Sequence, residues 1–176
     1  MDLKEILLSD DVVKSINDNL DYLVKIIPEI RFMFNFDQKN PQHHLDVWNH
    51  TLLALSLSEK DFDVRLCLLL HDIGKPFSYQ EEKVRHFKNH NKISANISKE
   101  LLYRLKYDEE YIMKISTMIY LHDLPILDSQ IEEDYDFCLK LYEVQRCDAL
   151  AHNPIYLKRR IEYLDKTKEK LLKRQI

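Results

Sequence analysis

Apolar residues recur every three or four positions along most of the chain, which predicts a series of α-helices. The first long helix is expected to begin behind Asp10 and Asp11, which can cap it, and to end at Pro28. The segments 35–44 and 76–89 lack this spacing and are predicted to be ordered loops. Further helices are predicted over residues 46–57, 61–70, 90–106, 108–122 and 132–147, and a last one begins near residue 155.

The helix predicted over 61–70 differs from the others because its last five positions are all apolar. A helix that is apolar on every side is normally buried at the centre of a domain. It is followed by the sequence HDIGKP at residues 71–76. Gly74 is the single glycine of the chain, so we expect it to end this helix in a left-handed conformation, with Pro76 just beyond it.

Composition favours one all-helical domain. The chain has 176 residues, 45% of them apolar and 32% charged, which is enough for one hydrophobic core and excludes a disordered chain. A β-rich fold would need many turn residues at positive φ, and one glycine does not supply them. We expect an N-terminal helical extension over 1–34, a central domain over 35–155, and a closing helix over 156–176 packed on that domain.

Charge and cysteine content narrow the function classes. The net charge of −4 gives no overall attraction to nucleic acid. Residues 157–176 hold eight basic and three acidic residues, and we interpret them as a solvated helix because aromatic residues are lacking on its basic face. Three widely spaced cysteines without a CxxC pair argue against disulfides. With no signal peptide pattern and no apolar stretch of about 18–20 residues, a cytoplasmic protein without a membrane partner is expected.

Several metal-type side chains lie at the ends of apolar segments. His71 and Asp72 follow the predicted central helix, where the helix dipole favours a cation. Alone, this pair would equally fit a capping aspartate beside a histidine in the core. His50 in the preceding helix and Asp148 in a later one would complete a four-ligand site suited to a divalent metal. Asp46, one turn before His50, is expected to accept a hydrogen bond from the His50 ring.

A second group of such side chains is formed by His86, His90, His122 and Asp123. His86 and His90 would be one turn apart if their segment is helical, and His122 ends an apolar helix. His90 and His122 are therefore candidates for a second metal or for a phosphate-facing edge of the site. The remaining histidines are interpreted as surface or helix-terminal residues: His43, His44 and His152.

The order of these motifs resembles the H…HD…D signature of the HD-domain metal-dependent phosphohydrolase superfamily. His50, the pair His71-Asp72 and Asp148 carry the signature. The sequence NPQHHLDVWNHTL at 40–52, and His86-Phe87 followed by His90 and Ser94, are similar to the HD region of some bacterial CCA-adding tRNA nucleotidyltransferases and their stand-alone relatives. The resemblance covers roughly residues 28–152.

This resemblance implies an all-α fold, a single HD-domain helical bundle with a metal site at its centre. It implies a divalent ion (Mn, Fe, Ni, Co, Zn or Mg) held by His50, His71, Asp72 and Asp148. In members that bind two metals, the residues that correspond to His90 and His122 hold the second ion. The sequence departs from the relatives in lacking a counterpart of the nucleotidyltransferase head and of the Gly-Tyr-Pro motif of cyclic-dinucleotide members.

The expected activity is hydrolysis of a phosphomonoester or phosphodiester of a nucleotide or a nucleic-acid end. A metal held by histidine and aspartate lowers the pKa of a bound water to about 7. Asp72 is expected to orient the water while it serves as a ligand, and Lys75 to bind a phosphate oxygen. Further candidates for substrate binding are Arg85, His86 and Arg146.

The sequence leaves several alternatives open. Arg146 would otherwise pair with a carboxylate of the bundle, and the aromatic residues Phe77, Tyr79 and Phe87 would either stack on a base or fasten their loop to the core. The domain could also bind a nucleotide or a partner protein, with or without a structural metal, and not turn it over. The expected partner is a phosphorylated small molecule, a nucleotide or an RNA end. A plain helical interaction domain would require the spacing of the four ligand candidates to be accidental.

Overall fold

The computed structural model describes residues 1–80 and 83–174, so residues 81–82 of the predicted loop and 175–176 of the closing segment lie outside it. Within the described residues there are no β-strands, only an isolated bridge between Gln80 and His86. The prediction of an all-α fold is confirmed. The helices are α1 (Leu3–Leu7), α2 (Val12–Asp18), α3 (Leu20–Ile26), α4 (Val47–Ser56), α5 (Phe62–Leu70), α6 (His90–Arg104), α7 (Glu109–Leu121), α8 (Asp128–Glu133), α9 (Tyr135–Leu150) and α10 (Lys158–Lys173).

Aspartate side chains fix where the helices around the site begin. Asp46, Asp61 and Asp108 each accept a hydrogen bond from the backbone N–H three residues further on, at the start of α4, α5 and α7. Such caps satisfy backbone donors that have no partner inside the helix. Asp134 caps α9 in the same way, and it thereby divides the helix predicted over 132–147 into α8 and α9.

The predicted helix over residues 12–27 is interrupted at Asn19. The Asn19 side chain donates a hydrogen bond to the Ser15 carbonyl over 2.8 Å, and its backbone leaves the helical region with a φ of −117° and a ψ of 20°. Asparagine offers the backbone this alternative to helical hydrogen bonding. At the other end of the chain, a 3₁₀ turn at Pro154–Tyr156 delays the last helix, which begins at Lys158.

Helix α5 lies at the centre of the bundle, as its apolar sequence predicts. Residues 66–70 are fully buried, and the helix packs against α4, α7 and α9. The core also includes Ile6 from the first helix and Leu171 from the last, so both terminal segments share it. The carboxyl end of α5 is therefore surrounded by other helices.

Gly74 is required for a different reason from the predicted one. Its φ is −83°, a right-handed value, so the expectation of a left-handed cap is wrong. A Cβ atom built on Gly74 would lie 2.5 Å from the Ser94 backbone nitrogen and 2.8 Å from the His90 carbonyl oxygen. The first turns of α6 thus pack directly on the backbone of the HDIGKP segment. The Gly74 N–H also donates to the Ser94 hydroxyl over 2.9 Å.

Among the described residues, no helix combines the length and the apolar character that crossing a bilayer would need.

Candidate metal centre

The four predicted ligands come from three helices that meet at the carboxyl end of α5. His50 lies on α4, His71 and Asp72 directly follow α5, and Asp148 lies near the end of α9. None of the four is more than 3% exposed. Histidine and aspartate are rarely buried together without a partner of opposite charge or a metal. The fold therefore brings into its interior polar groups that a purely structural core would avoid.

The side chains of this group converge on a small volume. His50 Nε2 lies 3.0 Å from Asp148 Oδ1 and 3.6 Å from Asp72 Oδ2. His71 Nε2 lies 3.3 Å from Asp72 Oδ2 and 3.6 Å from Asp148 Oδ1. Two imidazole nitrogens and two carboxylate oxygens thus face one another. The structure brings together all four residues that the sequence predicts as ligands.

Backbone carbonyls fix the orientation of both rings. The His71 Nδ1 atom lies 2.7 Å from the Leu68 carbonyl oxygen, and His50 Nδ1 lies 3.2 Å from that of Ala151. Each Nδ1 can donate to its carbonyl, which leaves Nε2 facing the carboxylates with its lone pair. The expected hydrogen bond from His50 to Asp46 is not the one observed. Asp46 instead caps α4 through the Asn49 N–H.

The donor set fits a divalent cation. His71 Nε2 and Asp72 Oδ1 are fully buried and have no hydrogen-bond partner among the described residues. Leaving such atoms unsatisfied in a protein interior costs free energy, which a bound cation would remove. Mixed imidazole and carboxylate ligands suit Mn, Fe, Co, Ni and Zn, and carboxylate oxygens also suit Mg. His50, His71 and Asp72 offer ligand atoms close enough together to share an ion.

A second set of ligand atoms lies on the other side of Asp72. His90 Nε2 and His122 Nε2 lie 3.5 Å and 3.9 Å from Asp72 Oδ1, and 3.3 Å from each other. His90 Nδ1 lies 2.9 Å from the Phe87 carbonyl oxygen, and His122 Nδ1 lies 2.6 Å from that of Ile119. Asp123 Oδ2 is 3.8 Å from His90 Nε2. Asp72 therefore directs one oxygen to each histidine pair, an arrangement that a bridging carboxylate would have.

The two sets of candidate ligands together form one cluster, in which the electrostatics favour positive charge. The residues of this cluster are His50, His71, Asp72, His90, His122 and Asp148. Burial lowers the pKa of His71, but the carboxylates of Asp72 and Asp148 outweigh it and raise that pKa to about 10. Burial acts against the ionised form of Asp72, yet His71 and Lys75 hold its pKa well below the usual range. For His122, burial and the nearby charge of His71 lower the pKa to about 4. The same carboxylates that raise the pKa of His71 would attract a metal cation, which would take the place of the proton at Nε2.

Lys75 is the predicted substrate-binding residue that lies at the cluster. Its ammonium group is buried and lies 2.7 Å from Asp72 Oδ2 and 2.9 Å from Gln38 Oε1. It lines a cavity of about 180 Å³ over the cluster, together with Phe87 and Asp123. A cation beside this opening is suitably placed for an anionic ligand.

Other predicted substrate-binding residues are placed elsewhere. Arg85 lies over the rings of Phe36 and Tyr79, at 5.0 and 4.7 Å from their centroids. His86 is exposed and forms the isolated bridge with Gln80 rather than continuing α6. Neither belongs to the described lining of the cavity over the cluster. Arg85 and Tyr79 instead fasten their loop to the segment that precedes α4.

Arg146 is held within the bundle. Its guanidinium lies 2.6 Å from the Glu143 carboxylate and also donates to the Leu57 carbonyl over 2.9 Å. This is the pairing with a bundle carboxylate that the sequence left open as an alternative. Phe77 packs edge-on against Phe32 and likewise holds its loop.

Two residues of the site were missed by the sequence analysis. His152 was interpreted as surface or helix-terminal. It does follow α9, but its ring is buried and its Nδ1 lies 2.8 Å from the Asp148 carbonyl oxygen. Arg160 on α10 donates a hydrogen bond to Asp148 Oδ2 and lies 3.5 Å from His152 Nε2. The i, i+4 spacing of Asp148 and His152 was an available signal, whereas nothing local distinguishes Arg160 from its basic neighbours.

Comparison with known proteins gives consistent matches. A sequence model of the HD domain family matches residues 42–153. The chain is 38% identical over 90 residues to the Multifunctional CCA protein of Hahella chejuensis, covering 48% of this chain and 21% of that protein. It is 28% identical over 104 residues to the CC-adding tRNA nucleotidyltransferase of Thermus thermophilus, covering 54% and 24%. It is 29% identical over 141 residues to the A-adding tRNA nucleotidyltransferase of Deinococcus radiodurans, covering 73% and 32%. The chain thus spans between a fifth and a third of the length of these relatives.

Proposed function

Because the chain belongs to the HD domain family, we propose that it is a metal-dependent phosphohydrolase acting on a phosphomonoester or phosphodiester. The resemblance inferred from its motifs is thereby confirmed at the level of the family. The observation that carries the proposal is the convergence of His50, His71, Asp72 and Asp148 in the interior, where two candidate ligand atoms, His71 Nε2 and Asp72 Oδ1, have no hydrogen-bond partner among the described residues. The substrate class that we propose is a nucleotide or a nucleic-acid end.

These four residues would hold the divalent ion, whether Mn, Fe, Ni, Co, Zn or Mg. When bound, the ion supplies Lewis-acid chemistry, which makes water more acidic and offsets negative charge on a phosphoryl oxygen. The chain itself supplies orientation. Asp72 can accept a hydrogen bond from the attacking water at Oδ1, because that oxygen has no protein donor among the described residues.

Lys75 would bind a phosphate oxygen of the substrate. A lysine ammonium group has three donors, and the two contacts of Lys75 to Asp72 and Gln38 leave a third for the cavity that it lines. The charge on this lysine would offset the charge of the phosphate next to two carboxylates. The contact to Gln38 holds the ammonium group in place, so that little conformational entropy is lost on binding.

Metal-dependent turnover tests this function. Protein stripped with a chelator and reloaded with single divalent metals should hydrolyse at least one member of a panel of nucleoside phosphomonoesters and phosphodiesters. The product should be inorganic phosphate or a monoester, and a chelator should stop its release. Stoichiometric metal binding without turnover of any phosphoester would contradict the proposal.

A second candidate function is a domain that binds an RNA end around its metal without cleaving it. The names of the relatives favour it, because they describe proteins that act on tRNA. In that case the metal-loaded protein would retain an RNA oligonucleotide and release no product from it. For either function we propose a cytoplasmic location, which agrees with three buried, unpaired cysteine thiols in a chain without disulfides among its described residues.

We expect the cluster to bind two metal ions. The two Nε2 atoms of His90 and His122 lie 3.3 Å apart and face Asp72 Oδ1, so they can share an ion separate from the one between His50 and His71. When a divalent metal is titrated into apo protein in a calorimeter, binding should saturate at two equivalents. In the double variant His90→Ala/His122→Ala it should saturate at one. Saturation of the wild type at one equivalent, unchanged in the double variant, would remove the second site.

A further inference from the structure

A second cavity, of about 430 Å³, opens beside the metal centre between α10 and the segment that follows α7. It shares five lining residues with the cavity over the cluster, so the two spaces adjoin. A ligand with one group at the cluster can therefore extend into the second cavity. The shared residues are Gln42, His122, Asp123, His152 and Arg160.

The far wall of this cavity comes from the chain around the start of α10, which lies beyond the family match at 42–153. Helix α10 has seven basic and three acidic residues, a net charge of +4, whereas the whole chain has −4. The remaining residues therefore carry −8. Two of these basic residues, Arg159 and Arg160, line the cavity and attract an anionic ligand to its α10 side.

The side chains of this wall suit a flat ring next to a phosphate. Tyr156 is 53% exposed and Tyr163 is half-buried, and both line the cavity. Arg159 also lines it, and its guanidinium forms no hydrogen bond or ion pair within the described part of the chain. Aromatic rings and arginine planes are the groups on which nucleic-acid bases stack.

Side-chain hydrogen bonds hold the floor of the cavity in place. The Gln145 amide donates to the carbonyls of Leu121 and Leu124 over 3.0 and 2.7 Å, which fixes the segment after α7. The Tyr163 hydroxyl accepts the Ile126 N–H over 2.8 Å and holds α10 against the same segment. The cavity is therefore formed before a ligand enters, as small-molecule sites usually are.

We propose that this cavity binds the nucleoside part of the substrate whose phosphate lies at the metal cluster. The proposal rests on the proposed function for the position of that phosphate. Tyr156, Tyr163 and the guanidinium plane of Arg159 contact the base and the sugar. Arg160, which lines both cavities, lies at the junction between nucleoside and phosphate. The volume is within the range of pockets for ligands of this size.

The test compares nucleotides with a probe that lacks the nucleoside. Metal-loaded protein is titrated calorimetrically with inorganic phosphate and with the methylenephosphonate analogues of the four ribonucleoside 5′-monophosphates, whose P–C bond it cannot hydrolyse. At least one nucleotide should bind about tenfold more tightly than phosphate, since base stacking on an aromatic residue contributes on that scale. The double variant Tyr156→Ala/Arg159→Gln should lose this tenfold margin and keep the wild-type affinity for phosphate.

A matched double variant, Tyr103→Ala/Lys166→Gln, removes an exposed tyrosine and an exposed cation that do not line the cavity, and should keep the margin. Equal affinity of the wild type for phosphate and all four nucleotides, or an unchanged margin in Tyr156→Ala/Arg159→Gln, would overturn the proposal. The margin is measured by binding, so it can be found even if no hydrolysis is detected and the proposed function fails.

A further arm distinguishes a free nucleotide from an RNA end, which share this chemistry. A trinucleotide RNA with a 3′-phosphate is titrated into the wild type and into Tyr156→Ala/Arg159→Gln. Tighter binding of the RNA than of the best mononucleotide, lost in the variant, assigns the cavity to the terminal nucleotide of an RNA. Weaker binding of the RNA, together with the tenfold margin of a nucleotide over phosphate, assigns the cavity to a free nucleotide.

Discussion

Replacement of Asp72 by alanine should strip metal from both halves of the cluster and lower phosphoester hydrolysis by more than about a hundredfold. The side chain faces His50 and His71 through Oδ2 and His90 and His122 through Oδ1, so one substitution removes a ligand from each group. Metal content measured after gel filtration, together with turnover at saturating metal, checks the prediction.

The same change should also lower the free energy of unfolding by about 3 kcal/mol, because it leaves the buried Lys75 ammonium without its carboxylate. The apolar core does not involve Asp72, so the far-UV circular dichroism at 25 °C should stay close to that of the wild type.

Asp46→Ala is the matched control, since Asp46 caps the helix that carries His50 and does not face the cluster. It should cost about 1 kcal/mol of stability and leave the metal content unchanged. Full metal content and wild-type turnover in Asp72→Ala would show that the site lies elsewhere.

Replacement of Gly74 by alanine should destabilise the protein by about 2 kcal/mol or more. The added Cβ would meet the backbone of α6 at 2.5 and 2.8 Å, which is closer than such atoms approach in real structures. Helix α6 must therefore move away, and its first residue, His90, moves with it. We expect chemical denaturation to show the loss of stability and metal titration to show loss of the second equivalent.

Ser94→Ala serves as the control for this variant, because it removes only the hydrogen bond from the Gly74 N–H and should cost about 1 kcal/mol. The double variant Gly74→Ala/Ser94→Ala should not recover the stability of Ser94→Ala, since two of the three close contacts are with backbone atoms. Recovery in the double variant would mean that the serine hydroxyl alone explains the need for glycine.

The parts of the fold and site that could be predicted from the sequence depend on neighbours in the chain. Aspartate caps and an all-apolar run are local signals, so the starts of α4, α5 and α7 and the central position of α5 follow from them. The His71-Asp72 pair is local too. Because Gly74 is the single glycine of the chain, the sequence indicates that a glycine is required there. The requirement itself comes from a close contact with α6, about twenty residues further along the chain.

Residues that depend on packing between distant elements could not be found in this way. Arg160 lies among basic residues on a charged helix, and only the docking of α10 decides which of them reaches Asp148. Arg85 and Arg146 have the chemistry of phosphate-binding residues, but their positions next to Tyr79 and Glu143 are set by the tertiary structure. Residue type indicates which groups a side chain is able to bind, and tertiary packing determines which of them it contacts.

The ion pair between Arg160 and Asp148 makes helix α10 and the metal centre thermodynamically linked. Asp148 contacts the guanidinium through Oδ2 and the two histidines through Oδ1, so a ligand that draws Arg160 towards itself leaves the charge of a candidate metal ligand less offset. Linkage of this kind is reciprocal: if a ligand in the cavity strengthens or weakens metal affinity, the metal alters the affinity for that ligand by the same factor. The closing helix is then the element through which a ligand in the cavity changes the affinity of the site for its ion.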